Sequence, residues 1–172
     1  MIFLRYIITI FFLASCTNKP IVIQSQKSQL ELREMQSASV ESTDMKHILG
    51  IIIQVLQDDE YTIDNLDSDI GYFSAEKKLD GGKEEYQFEI FDIYYPYALY
   101  KLKNLDRFII EVKATISVRV QQNNSQIRAS FISNMIDEEG KIKSVKTIDD
   151  PKFYQEFFLK INKGLFLQKH NL

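Results

Sequence analysis

Few side chains in this chain of 172 residues have the types and spacing that chemistry requires. The two histidines, His47 and His170, have no cysteine nearby and no spacing typical of a metal site. No serine stands in the Gly-x-Ser-x-Gly turn that presents the nucleophile of many hydrolases. The carboxylates at 58–60, 64–69 and 137–139 lack the order of a calcium-binding loop and are typical of helix ends and solvated turns. We therefore expect no catalytic residue, no metal and no cofactor, and a protein that is not an enzyme.

The single cysteine, Cys16, is the exception, because the residues before it predict a chemical role. They include a mostly apolar stretch, residues 6–14, which is too short for the ~20 residues of a membrane-spanning helix. Arg5 is the only charged side chain ahead of Cys16. A cation, a short apolar segment and then small residues are typical of a secretory signal peptide.

The segment Leu13-Ala14-Ser15-Cys16 resembles the lipobox of bacterial lipoproteins. The resemblance implies that residues 1–15 are a signal peptide, cut between Ser15 and Cys16. It also implies that Cys16 carries diacylglycerol on its sulfur and an acyl group such as palmitate on its amino group. Two or more acyl chains anchor a protein stably to a membrane. Thr17 is not the Asp that retains lipoproteins at the inner membrane in the best-studied sorting systems, so the resemblance implies the bacterial outer membrane, facing the periplasm.

The charge balance of the chain argues against nucleic acid as a partner. Lys and Arg total 21 and Asp and Glu total 24, which gives a formal net charge of -3 at pH 7. Binding to a nucleic-acid backbone needs a surplus of cations. We expect the partners to be a membrane, contacted through the lipid anchor, and an envelope protein.

After the signal peptide we expect a tether, residues 16–28, and a single α+β domain, residues 29–172. The tether is polar around one apolar patch, Ile21-Val22-Ile23, for which an added edge strand is the alternative. In residues 30–35 apolar and charged side chains alternate, which favours a short strand over a turn of helix.

Two helices and a β-meander make up the predicted domain. Ser42-Thr43-Asp44 predicts the start of a helix of about four turns, in which Gly50 permits close packing on a strand. Asp150-Pro151 predicts the start of a C-terminal helix. Period-two alternation and turn residues predict strands at residues 61–66, 70–79, 86–93, 108–121, 127–136 and 141–148. An antiparallel meander with both helices packed on one face is an α+β fold.

The clearest predicted strand, residues 108–121, has one apolar and one polar face. We expect the apolar face to be the core; it consists of Phe108, Ile110, Val112, Ala114, Ile116, Val118 and Val120. We expect the polar face to lie in water; it consists of Glu111, Lys113, Thr115, Ser117, Arg119 and Gln121. A sheet covered on one side produces this alternation.

The densest aromatic segment surrounds Pro96 and contains Tyr94, Tyr95, Tyr97 and Tyr100. Aromatic residues at such density are usually packing, and we interpret these rings first as core and edge packing around a proline bend. If several rings are exposed, they form a partner-binding patch, since tyrosine supplies contact area at low entropy cost. If they are buried, the contact site is expected on the polar sheet face around Lys113, Thr115 and Arg119.

Four segments together resemble a family of small, uncharacterised bacterial lipoproteins of the outer membrane. They are Glu31-Leu32-Arg33-Glu34-Met35-Gln36, Val55-Leu56-Gln57-Asp58-Asp59, Asp69-Ile70-Gly71-Tyr72-Phe73-Ser74-Ala75-Glu76-Lys77 and Asp150-Pro151-Lys152-Phe153-Tyr154-Gln155-Glu156-Phe157-Phe158. In topology alone the chain is similar to the helix-grip modules of the assembly lipoprotein NlpB. Neither resemblance implies an activity, since a fold does not carry a function with it.

We therefore expect a membrane-anchored periplasmic lipoprotein that acts as a non-enzymatic binding or envelope-assembly module. The alternative is a carrier or sensor that holds a small apolar ligand between helix and sheet, among Phe88, Phe108, Ile110 and Phe157. A closed interior favours the binding module, whereas a continuous apolar cavity of about 300 Å³ or more favours the carrier.

Overall fold

A computed structural model describes residues 19–80 and 108–169 of the chain. The helices of this part are α1 (Gln29–Met35), α2 (Met45–Asp58) and α3 (Pro151–Lys169). The strands are β1 (Ile21–Ile23), β2 (Ser37–Val40), β3 (Thr62–Asp67), β4 (Tyr72–Asp80), β5 (Phe108–Val120), β6 (Ser125–Asp137) and β7 (Ile142–Thr147). In the described ranges, no helix is both long enough and apolar enough to span a membrane.

The strands form one sheet in the order β1-β7-β6-β5-β4-β3, and β2 pairs with β6 beside this path. The β1–β7 pair is parallel and the other pairs are antiparallel. Strands β3 and β4 form one hairpin, while β5, β6 and β7 follow one another as a meander. The predicted α+β fold with an antiparallel meander is therefore confirmed. The strand predicted at residues 86–93 lies outside the described residues.

Strand β5 has the two faces that its alternation predicts. Its six inward side chains from Phe108 to Val118 are buried, and they face the helices. The prediction that Val120 is the seventh core residue is wrong. Val120 is 41% exposed, because it lies at the last position of the strand. On the polar face Glu111 also differs from prediction, since it is only 7% exposed.

Helices α2 and α3 cover the apolar face of the sheet. The side chain of Asp44 caps α2 by accepting a hydrogen bond from the His47 backbone N–H at 3.0 Å. The contact between α2 and α3 depends on Gly164, where an added Cβ would lie 2.7 Å from Cγ2 of Ile51. Gly50, predicted to permit close packing, has no atom within 4 Å of such a Cβ and lies on the exposed side of the helix. The close approach joins helix to helix, not helix to strand.

The amino-terminal part of the domain is more ordered than predicted. Ile21–Ile23, interpreted as tether, forms strand β1 in parallel with Ser144–Lys146 of β7, so the edge-strand alternative is the correct one. The chain is held there again by Ser25, whose hydroxyl donates to Oδ2 of Asp149 at 2.5 Å. β1 thus shortens the free linker that residues 16–28 were expected to provide.

The strand expected in residues 30–35 is wrong, because these residues form helix α1. Ser28 and Glu31 make a capping box: the Ser28 hydroxyl accepts from the Glu31 N–H at 3.3 Å, and Oε2 of Glu31 accepts from the Ser28 N–H at 2.7 Å. Hydrogen bonds with Ser28, chiefly with its side chain and then with its backbone N–H, lower the pKa of Glu31. Local capping therefore decides between helix and strand in a segment whose apolar spacing fits both.

Candidate functional site

The face of the sheet away from the helices is polar across its central strands. Its rows follow from the strand register. One row runs through Tyr72, Ser117, Arg128 and Ser37 on four successive strands. The next row contains Arg119, Gln126 and Ser39. These rows lie on the same face as Lys113, Thr115 and Arg119, around which the sequence predicts a contact site if the tyrosines are buried.

At the other end of this face, four charged side chains neutralise one another. Lys78 lies 3.3 Å from Glu76 and 3.7 Å from Glu111, and Lys113 lies 3.3 Å from Glu111 and 4.0 Å from Glu76. The amide nitrogen of Asn134 also donates to Oε2 of Glu111 at 3.0 Å. This set, which we call the charge ladder, leaves little net field for a ligand.

The charge ladder also explains the burial of Glu111. Burial by itself would raise the pKa of this carboxyl, but hydrogen bonds from Asn134 and Lys113, together with the charges of Lys113 and Lys78, leave the pKa lowered. Glu111 is therefore held ionised inside a satisfied polar network. Its part in the molecule is to join β4, β5 and β6 on the open face.

Beyond the charge ladder the open face carries a cleft of about 370 Å³ where α1 meets the edge of the sheet. Arg119 comes from β5, Arg128 from β6 and Arg33 from α1. The cleft, which we call the arginine cleft, is lined by Arg33, Glu34, Ser37, Ser117, Arg119, Gln126 and Arg128. Two strands and a helix therefore bring three guanidinium groups to one place.

Among the residues that the structure describes, no carboxylate neutralises the arginines of this cleft. Within residues 19–80 and 108–169, no carboxylate lies within ion-pair distance of Arg33, Arg119 or Arg128, and Glu34 is the only acidic residue in the lining. The ion pairs of this part of the chain use lysine instead. The whole chain has five arginines, at positions 5, 33, 107, 119 and 128, so the cleft gathers three of them. An acidic protein thus carries a local positive site.

Sequence reasoning found part of this site. It placed Arg119 and Ser117 on the polar face, but it missed Arg128, Gln126 and Arg33. Alternation in β6 was the available signal for Arg128, because Gln126 and Arg128 are exposed between buried residues. The signal for Arg33 was the capping box at Ser28, which makes its segment a helix.

The other predicted site residues lie outside the described part of the chain. Ser15 and Cys16, predicted as the cleavage site and the lipidation site, precede residue 19. Tyr94, Tyr95, Tyr97 and Tyr100 fall between residues 80 and 108. Both interpretations stay predictions. In the described segments, no three His, Cys, Asp or Glu side chains stand close enough to hold a metal ion.

The space between helices and sheet is filled by side chains. Ile48, Ile52, Ile116 and Ile161 are fully buried there, as are most of their neighbours in the core. A cavity beside this layer, lined in part by Leu56 and by four aromatic side chains, has a volume of about 70 Å³. That is well below the ~300 Å³ typical of a site for a small organic ligand. A larger opening of about 650 Å³, lined in part by Leu79, Phe108, Ile109 and Ile136, lies where β4 and β6 end and β5 begins. Phe88 of the predicted ligand site lies outside the described residues, so the carrier stays the alternative prediction.

Comparison with known proteins shows no family for this chain. No family model matches the chain, and no curated protein matches it. Among solved structures, a TBP-like protein from Parabacteroides distasonis is 16% identical with a TM-score of 0.36, covering 74% of this chain and 88% of that one. A DUF4468 family protein from Bacteroides ovatus is 9% identical with a TM-score of 0.38, covering 81% and 95%. At these scores the likeness carries no argument about function, which must come from the cleft itself.

Proposed function

We propose that this protein is a lipid-anchored binding module of the bacterial envelope, which binds an anionic partner through the arginine cleft and catalyses no reaction. One observation carries the proposal: Arg33, Arg119 and Arg128 line one cleft without an ion-pair partner in the described residues. Arginine presents a planar fork of donors that fits oxyanions. Three such groups, to which no described carboxylate is paired, are suited to a negatively charged partner.

The composition of the lining supports binding over catalysis. Among the described residues, the lining of the arginine cleft has no histidine, cysteine or lysine, and its polar side chains besides the arginines are Ser37, Ser117, Gln126 and Glu34. Nucleophilic catalysis needs a nucleophile activated by a neighbouring base. These side chains are donors and acceptors that can orient a bound group.

The anchor rests on the lipobox-like residues ending in Cys16, and the position of β1 supports a role close to a membrane. Strand β1 begins at Ile21, so five peptide steps separate it from Cys16. A fully extended chain of that length spans at most about 18 Å. A diacylglycerol on Cys16 would therefore hold the sheet edge near the membrane surface. We place the anchor in the outer membrane, facing the periplasm, and expect an envelope component as partner.

Photocrosslinking in cells tests the binding surface. A photoreactive residue at Gln126, exposed in the arginine cleft, should capture an envelope component, whereas the same residue at Gln54, exposed on α2, should not. Replacing Arg119 and Arg128 together with Gln should remove the capture at position 126. Equal capture from both positions, or capture that ignores the two arginines, would contradict the proposal.

A further inference from the structure

We propose that the arginine cleft holds the phosphoryl group of a phosphate monoester. This inference rests on the proposed function, since it names the anionic group that the binding module recognises. The three arginines of the cleft set the number of oxygens that a ligand needs in order to pair with them.

Three guanidinium groups exceed what one carboxylate can use. A carboxylate has two oxygens with about four lone-pair sites in one plane, and a bidentate arginine fork uses two of them. In a cleft with Arg33, Arg119 and Arg128, a single carboxylate would therefore leave at least one fork without a partner and two positive charges in excess. A phosphate monoester carries about -1.5 to -2 charge and three terminal oxygens at neutral pH. Its charge and its acceptors match three arginines better.

The remaining side chains of the cleft extend the match. The hydroxyls of Ser37 and Ser117 and the amide of Gln126 are neutral donors that can satisfy further lone pairs of the phosphoryl oxygens. Glu34 is an acceptor, which opposes a second anionic group and suits a hydroxyl on the ester. The ligand chemistry is therefore a phosphate ester of a compound with hydroxyl groups.

The size of the cleft favours a small group over an extended chain. A volume of about 370 Å³ lies at the lower end of the range for small-molecule sites. Its described lining comes from α1, from Ser37 of β2 and from the neighbouring strands β5 and β6. A phosphate monoester of this size occurs both in soluble metabolites and in lipid headgroups, and the experiment separates these sources.

Titration of the full chain, purified in detergent, tests the inference with defined probes. The probes are glycerol 3-phosphate for the soluble source and dihexanoylphosphatidic acid for the lipid source, with glycerol and the dicarboxylate glutarate for comparison. We expect at least one phosphate probe to bind and to weaken as salt is raised, and glycerol and glutarate to bind at least about tenfold more weakly. Tighter binding of dihexanoylphosphatidic acid than of glycerol 3-phosphate indicates a lipid headgroup, and the reverse indicates a soluble ester.

Variants in the cleft locate the binding. Arg119→Gln and Arg128→Gln should each weaken the phosphate probe by about tenfold or more, because each removes charge-assisted hydrogen bonds. Arg128→Lys should also weaken it, since lysine keeps the charge but lacks the planar fork. Lys163→Gln, which removes an exposed charge from α3, is the matched control and should leave binding unchanged. Thermal melting of each variant verifies the fold.

Two results would overturn the phosphate inference and leave the binding surface intact. One is glutarate binding as tightly as the phosphate probes, which would point to an acidic protein segment as the ligand. The other is an absence of binding by any probe while capture from position 126 still depends on Arg119 and Arg128. If that capture is also absent, the proposed function fails together with the inference.

Discussion

The hydroxyl of Tyr154 donates a hydrogen bond to the carbonyl oxygen of Ile148 at 3.0 Å, inside the protein and at the edge of β6. Strands β7 and β2 pair with the same edge of β6, one at Ile132–Ile136 and the other at Ser125–Arg128. The Tyr154 oxygen lies beside the part of β6 between these two pairings, where it also accepts a hydrogen bond from the Phe131 N–H at 3.4 Å.

This hydroxyl connects helix α3 to the arginine cleft. The side-chain nitrogen of Gln36 donates to the Tyr154 oxygen at 3.4 Å, and Gln36 is the residue that ends α1. Its carbonyl accepts from the Ala129 N–H at 2.9 Å. Ser37 follows Gln36 directly, and Arg33 lies three residues before it. Tyr154 therefore helps to fix the side of the cleft that α1 and β2 provide.

Tyr154→Phe should therefore destabilise the fold by about 1–3 kcal/mol, because it leaves the buried Phe131 N–H and the Ile148 carbonyl without this partner. Urea unfolding measures the loss. The matched control is Tyr72→Phe, a change on the open sheet face that should cost clearly less. Equal costs for the two variants would mean that the Tyr154 hydroxyl does not support the sheet edge.

Comparison of the wild type with Tyr154→Phe also gives a prediction about the effect of pH on stability. Burial, ahead of the opposing hydrogen bonds from Gln36 and Phe131, raises the pKa of Tyr154 above its usual value. The unfolded chain then ionises first, so the stability from the protonated hydroxyl is complete below the unfolded pKa and is lost as the pH rises towards the folded one. The difference in unfolding free energy between wild type and Tyr154→Phe should shrink from about pH 9 to about pH 11. A difference that grows over this range would contradict the assignment.

Val118 and Ser117 test the two faces of β5. Val118 is 1% exposed in the core, so Val118→Asp buries an unpaired carboxylate and should cost about 3 kcal/mol or more. Ser117→Asp points into the arginine cleft beside Arg128 and should be mild in a thermal melt, while it blocks binding of an anionic probe. Equal destabilisation by the two variants would mean that the strand register is wrong.

Glu111 predicts acid sensitivity of the charge ladder. Its pKa is lowered in the folded protein, so its stabilising contribution is present above the unfolded pKa and disappears as the pH falls through the folded one. Glu111→Gln should destabilise the protein at pH 7 and have a smaller effect at about pH 3. Glu139→Gln, at an exposed pair with Lys141, should change little at either pH. An effect of Glu111→Gln that is larger in acid would contradict this account.

The variant Cys16→Ser tests whether the protein is anchored by a lipid. Metabolic labelling with a fatty acid should mark the wild-type protein and not Cys16→Ser, because the proposed attachment begins at that sulfur. The variant should also lose stable association with the membrane fraction. Undiminished label in Cys16→Ser would rule out lipidation at this position and leave the binding surface to be judged by itself.

Local patterns predicted those parts of the fold that depend on neighbours in sequence. Alternation in β5 and the N-cap at Asp44 each identified an element with nearly correct ends. In residues 30–35 the apolar spacing suited both strand and helix, and the capping box at Ser28 decided for the helix. Strand β1 needs a parallel partner distant in sequence, Ser144–Lys146, which no local pattern indicates.

The candidate site was harder to predict because its residues meet only through long-range pairing. Arg33 and Arg128 are brought together by the register of β2 on β6, in which Ser37 faces Arg128. Neither the short strand β2 nor helix α1 was predicted from the sequence. Arg119 could be placed on the correct face by alternation, but its arginine neighbours could not.

Photocrosslinking at Gln126 and at Tyr95 in the same cells tests the central claim most directly, because it compares the arginine cleft with the tyrosine segment as the contact surface. We predict that position 126 captures an envelope component, and that Arg119→Gln with Arg128→Gln removes this capture while the melting temperature stays unchanged. Capture from position 95 alone, unaffected by the two arginines, would contradict the account and move the contact surface to Tyr94, Tyr95, Tyr97 and Tyr100.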